Sequence, residues 1–119
     1  MQNVKVFDIK ERCSIFSLDT IKFLGTLSDH YISRTMGKQL LRSATSIGAN
    51  IVEAQSSPSR KDFTNFYSIS LKSANETKYW LTLFGRSKIG CMQEVEKLQE
   101  EVSEISKIIG KSILTLKGK

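Results

Sequence analysis

A chain of 119 residues with one proline and seven glycines has the length of one domain, can bury roughly two-thirds of its unfolded surface, and lacks the turn residues of a many-turned β fold. Two cysteines far apart in sequence, with no CxxC pair, exclude a disulfide scaffold. Charges at Lys5, Asp8, Lys10, Glu11 and Arg12 exclude an N-terminal signal peptide or membrane span. The expectation is an all-α, cytoplasmic protein in which Cys13 and Cys91 are buried, reduced thiols.

The net charge of +6 is unevenly spread. Residues 1–33 and 89–119 are each balanced. Residues 34–88 carry Arg34, Lys38, Arg42, Arg60, Lys61, Lys72, Lys78, Arg86 and Lys88 against Glu53, Asp62 and Glu76, which is the whole excess. The middle of the chain is therefore the candidate electrostatic footprint.

Taken in chain order, Phe16, Ile21, Leu24, Leu27 and Tyr31 recur on one side of a helix predicted over about 11–32. Ser33 to Gly37 then read as a short connection, with Gly37 as breaker. A second helix, about 38–56, carries Leu40, Ala44, Ile47 and Ile51 at steps of four and three, a heptad-like seam. Pro58 disfavours helix at Ser57, and Ser59 with Asp62 three residues on resembles a capping box, so a third helix is expected over about 60–88. Phe63, Tyr67, Ser70, Ala74, Thr77, Leu81 and Phe84 keep its inward face constant. Gly90 stops this helix. The last, about 92–117, presents Val95, Leu98, Val102, Ile105, Ile109 and Leu116, with balanced charges on its other faces. Short loops between long helices imply an antiparallel up-down-up-down four-helix bundle.

In the stretch QLLRSATSIGANIVEA, polar residues run beside the apolar seam. Gly48 in mid-helix costs about 1 kcal/mol relative to alanine, and a packing reason is expected. Ala44 and Gly48, one turn apart, let another helix approach. Asn50 and Glu53 share a face, as do Ser73 and Glu76, and together with Ser46 they form a candidate polar seam between helices two and three. A carboxylate-bridged metal site is the sharper alternative, but it wants Glu-x-x-His pairs, and the one histidine, His30, has no glutamate three residues before it. No metal, cofactor, nucleophile motif or Gly-rich phosphate loop is expected.

The blocks Gln39–Leu40–Arg42–Ser43, Ser46 to Ala54, Ser59–Asp62–Phe63 and Glu76–Thr77–Tyr79–Trp80–Leu81 occur in the order and spacing of a known pattern. In these residues the chain resembles the bacterial four-helix-bundle family first named from proteins encoded in intervening sequences of large-subunit ribosomal RNA. The resemblance covers residues 39–55 and 59–81 closely and the rest more weakly. It implies an antiparallel bundle, usually a homopentamer, with no known catalysis. A related branch, the accessory protein of diversity-generating retroelements, presents a basic surface to RNA and binds a reverse transcriptase. The present sequence resembles the intervening-sequence branch more.

Arg34, Lys38 and Arg42 are spaced by four, and Lys72, Asn75, Tyr79, Thr82 and Arg86 by three and four. An aromatic among basic and amide side chains suits a nucleic-acid surface, on which Tyr79 stacks with an unpaired base. The alternative is a pair of solvated helix faces. Five copies would concentrate roughly +30 on one particle, which brings the binding surface level with the solvated faces. Trp80 reads as a core-edge residue or as an interface anchor. The functional expectation is a non-enzymatic homo-oligomer that binds nucleic acid, RNA more than DNA, without sequence readout and with no membrane role. A scaffold that docks an acidic or nucleic-acid-bound protein is the competing expectation.

Overall fold

The structure, a computed structural model, describes residues 8–118. Lys5, read above among the early charges, lies outside them. Four helices follow one another: α1 (Ile9–Gly25), α2 (Tyr31–Gln55), α3 (Arg60–Ser87) and α4 (Met92–Leu116). Each helix packs on its two neighbours in the order α1, α2, α3, α4 and back to α1, and across the core the rings of Phe23 and Phe84 meet edge to face at 5.6 Å between centroids. Cross-helix partners run in opposite senses. Ser70, Ser73 and Thr77 on α3 meet Ile47, Ser46 and Ser43 on α2. Arg60, at the start of α3, reaches the carbonyl of Leu116 at the end of α4. The result is an antiparallel up-down-up-down bundle about 45 Å long.

Local signals set most of the ends. Asp8 caps α1 through the N–H of Lys10, and Ser59 caps α3 through that of Asp62. The last turn of α3 closes with Lys88 in the left-handed region, φ 57°. Gly90 follows at φ +87°, and a Cβ there would stand 2.8 Å from the ring of Phe23. Both backbone conformation and space therefore demand glycine at the α3–α4 connection.

Two expectations fail at the α1–α2 connection. Helix α1 ends at Gly25, not in the low thirties, and His30 caps a new helix by accepting the N–H of Ile32 on Nδ1. Tyr31 thus opens α2 and is 70% exposed, and Ile21 also faces solvent. The inward face of α1 is instead Cys13, Phe16, Thr20 and Phe23. Gly37 does not break a helix. It is buried inside α2, where a Cβ would come within 3.3 Å of Leu24 Cδ2, so the packing of α1 requires a small residue there.

The seams of α2, α3 and α4 lie inward as their spacing predicts: Leu40, Ala44, Ile47, Ile51, Ala74, Leu81, Phe84, Val102, Ile105 and Ile109 are all fully buried. At the end of α4, Ile113 is buried and Leu116 only half-buried. Gly48 faces α1, where a Cβ would stand 3.1 Å from Cys13 Cβ. Burial pushes the Cys13 thiol up to about 12. Cys91 is exposed, contrary to expectation, because it occupies the N-cap of α4 at the end of the bundle.

The glycines of α2 and α4 should respond oppositely to substitution. Gly48→Val forces α1 away from α2 and should cost about 1–3 kcal/mol. Gly110 has nothing within 4 Å of an added Cβ, so Gly110→Ala should gain about 0.5–1 kcal/mol from helix propensity alone. Urea unfolding midpoints of the two variants test both signs.

Candidate nucleic-acid interface

With the heptad face of α3 turned inward, Lys72, Asn75, Tyr79, Thr82 and Arg86 are held outward, and all five are exposed. Tyr79 is 58% exposed. Its ring is steadied from behind by Trp80, edge to face at 5.4 Å between centroids. Lys78, half-buried, lies at the edge of this flank, and Lys88 is exposed at the C-cap of α3. Among the described residues, Lys72, Lys78, Arg86 and Lys88 pair with no carboxylate. Behind this side α3 packs on α4, whose Gln99 amide donates to the Leu81 carbonyl at 3.5 Å.

Because α2 starts at Tyr31, Arg34, Lys38 and Arg42 fall on one helix and are exposed. They do not join the α3 stripe. Arg34 and Lys38 turn towards α1, beside Leu24 and Leu27. Arg34 is paired with Asp29. Arg42 spans the α2–α3 groove, donating to Gln39 Oε1 at 3.0 and 3.3 Å and to the carboxylate of Glu76. Arg60 and Lys61 sit at the other end of the bundle, where the Arg60 guanidinium caps α4 by donating to the Leu116 carbonyl at 3.0 and 3.2 Å. The structure thus holds Lys72, Tyr79 and Arg86 on one flank with Lys78 at its edge, and separates Arg34, Lys38, Arg42, Arg60 and Lys61 from them.

The polar residues between α2 and α3 divide in a similar way. Ser73 Oγ lies 2.9 Å from Ser46 Oγ, and Asn50 Nδ2 donates to the Ser46 carbonyl and hydroxyl at 2.8 and 3.0 Å. Glu76 belongs to the Arg42 end of the groove. The Arg42 hydrogen bond, then that of Trp80 Nε1 at 3.2 Å, holds its carboxyl below the usual carboxylate range. Trp80 itself is half-buried against the core. Glu53 is exposed, and its side chain makes no hydrogen bond or ion pair among the described residues.

Deeper between the helices is a second row that the sequence reading missed. Thr77 Oγ1 lies 2.9 Å from Ser43 Oγ and 2.8 Å from the Ser73 carbonyl, and Ser70 Oγ donates to the Ile47 carbonyl at 2.8 Å. Ser43, Ser70 and Thr77 are fully buried. Their signal was present: Ser70 and Thr77 occupy inward heptad positions of α3.

Among the described residues there is no group of three or more His, Cys, Asp or Glu side chains that could hold a metal. No helix among them is long and apolar enough to cross a membrane. An antiparallel four-helix bundle with paired hydroxyls at its α2–α3 seam and unpaired cations on its α3 flank defines the class of this protein.

The chain belongs to the 23S rRNA-intervening sequence protein family, whose model matches residues 6–111. It is similar to a crystal structure of a protein of unknown function from the S23 ribosomal protein family of Bacteroides thetaiotaomicron VPI-5482. The two share 38% identity and superpose with a TM-score of 0.80 over 89% of this chain and 98% of the other. Among curated proteins none matches.

Because the folded state holds Glu76 below its unfolded value, its contribution to stability is present above the unfolded carboxyl range. That contribution is lost as pH falls through the folded value. More than a third of the Glu76 side chain is exposed, so the effect should stay below about 1 kcal/mol. Thermal unfolding from neutral to acid pH should fall less steeply for Glu76→Gln than for the wild type.

Proposed function

We propose that this protein is a non-enzymatic, homo-oligomeric bundle that binds RNA through the outer flank of α3 without reading sequence. The observation that carries the reading is the line of cations without carboxylate partners around the exposed ring of Tyr79. Such a flank offers point charges to phosphates and a flat ring to an unstacked base.

The oligomeric part rests on a different flank. Gly48 and Val52 lie along the side of α2 that faces α1, and Leu18 and Ile21 stand on the surface of α1. Leu18, Ile21 and Val52 are all exposed, from 46% to 57%. Between Arg42 and Glu53 the sequence of α2 carries no charge. A second copy covering this strip leaves the α3 flank open and sets several basic flanks on one particle, with five copies as the expected number.

Fluorescence anisotropy with a single-stranded RNA tests the ligand. For four phosphate contacts the affinity should fall about 50-fold between roughly 50 and 200 mM salt. Tyr79→Ala should lose about 1–3 kcal/mol of binding free energy. Reversing Lys72, Arg86 and Lys88 to glutamate should abolish binding, whereas Lys61→Glu at the far end should leave it nearly intact. Salt-independent binding, or equal losses for the two sets, would falsify the reading. Binding of a protein partner that survives nuclease would favour the scaffold instead.

Light scattering coupled to size exclusion tests the assembly. The wild type should show the mass of several chains, and Leu18→Asp combined with Val52→Asp should reduce it to one. A wild-type mass of one chain removes the oligomer from the proposal.

A further inference from the structure

The connection between α1 and α2 closes over one end of the bundle and leaves a cleft of about 400 Å³ against the first turns of α2. Its apolar part is formed by Leu24, Leu27, Gly37 and Leu41, and its rim by Asp29, Arg34 and Lys38. Ser33 stands where this cleft meets the one beside the α3–α4 connection, and it lines both. It is 9% exposed, yet its hydroxyl makes no hydrogen bond among the described residues. Among the described residues the buried aliphatic hydroxyls of Thr20, Ser43, Ser70, Thr77 and Ser106 each bond a carbonyl or another hydroxyl, and besides Ser33 only the Tyr67 phenol has no such partner.

An unpartnered buried hydroxyl is costly, and its persistence points to a partner that binds there. Its setting selects the chemistry. Ser33 lies in the first turn of α2, where backbone N–H groups point outward and the helix dipole favours negative charge. At the rim, Asp29 offsets Arg34, so Lys38 is the one cation without a carboxylate partner. The cleft volume lies within the range of about 300–1,000 Å³ usual for small-molecule sites.

We infer that this cleft binds a small amphipathic monoanion, a carboxylate with a short aliphatic body. The head group accepts from the Ser33 hydroxyl and pairs with Lys38, and the body lies over Leu24, Leu27 and Leu41. A phosphate of a nucleic-acid chain fits the site poorly, because its sugar and neighbouring phosphates would meet the leucine floor. The site is separate from the α3 flank and stands or falls independently of RNA binding.

Octanoate is a suitable probe, titrated into the ¹⁵N-labelled full chain and followed by amide chemical shifts. The expected result is saturable shifts confined to residues 24–41 and at least five-fold weaker binding of octanol, which has the same tail without the charge. Ser33→Ala removes only an unpaired hydroxyl. It should melt at or above the wild-type temperature while binding octanoate at least five-fold more weakly, and Lys38→Met should weaken binding similarly. Absence of a saturable shift at residues 24–41 overturns the inference. So does wild-type affinity in Ser33→Ala, or octanol binding as tightly as octanoate.

Discussion

The α2–α3 seam is the contact on which the rest of the arrangement depends. Two helices that meet through serine, threonine and alanine approach more closely than two that meet through leucine, but each buried hydroxyl then needs a partner. Here Thr77 meets Ser43, Ser73 meets Ser46, and Ser70 returns to the backbone at Ile47. A slip of one helical turn would strand all of these groups at once. Directional bonds thus fix the register that apolar packing alone would leave loose. With α3 locked in rotation, its opposite side is committed to solvent, and that side carries Lys72, Tyr79 and Arg86.

The same seam explains why Arg42 and Glu76 do not act as independent surface charges. They face one another across the top of the groove, and Trp80 closes over Glu76 from the next turn. A cation that satisfies a neighbouring carboxylate attracts a phosphate less strongly than one that does not. The exposed charge of this molecule is therefore asymmetric: α3 carries it free, α2 carries much of it paired, and Arg60 spends its donors on the end of α4.

At the α1–α2 end a different physical balance holds. Helix α2 runs through Gly37 because the surrounding turns bury Ser33, Leu40 and Ala44, and this packing outweighs the propensity cost of one glycine. The small residue lets Leu24 lie against the α2 backbone. An earlier start for α2 also brings Arg34 and Lys38 into regular helix and builds the cleft around Ser33.

Heptad spacing by itself determined the all-α class, the inward faces of α2, α3 and α4, and the outward placement of the α3 stripe, since a helix that buries one face must expose the other. Ser59 and Pro58 likewise marked the start of α3, where a cap is a local matter. The sequence also determined the excess of positive charge and, through its motifs, the family. Only the tertiary structure decided where α1 ends, because a glycine such as Gly25 is a weak stop that a packed helix can run through, as α2 does at Gly37, and the end depends on how the following loop crosses the bundle. It alone decided which cations find carboxylates, because Arg42 and Glu76 are 34 residues apart. It turned the Arg34–Lys38 stripe away from that of α3 and left Ser33 buried without a partner, because rotation of one helix against its neighbours depends on long-range packing that spacing within a helix does not encode.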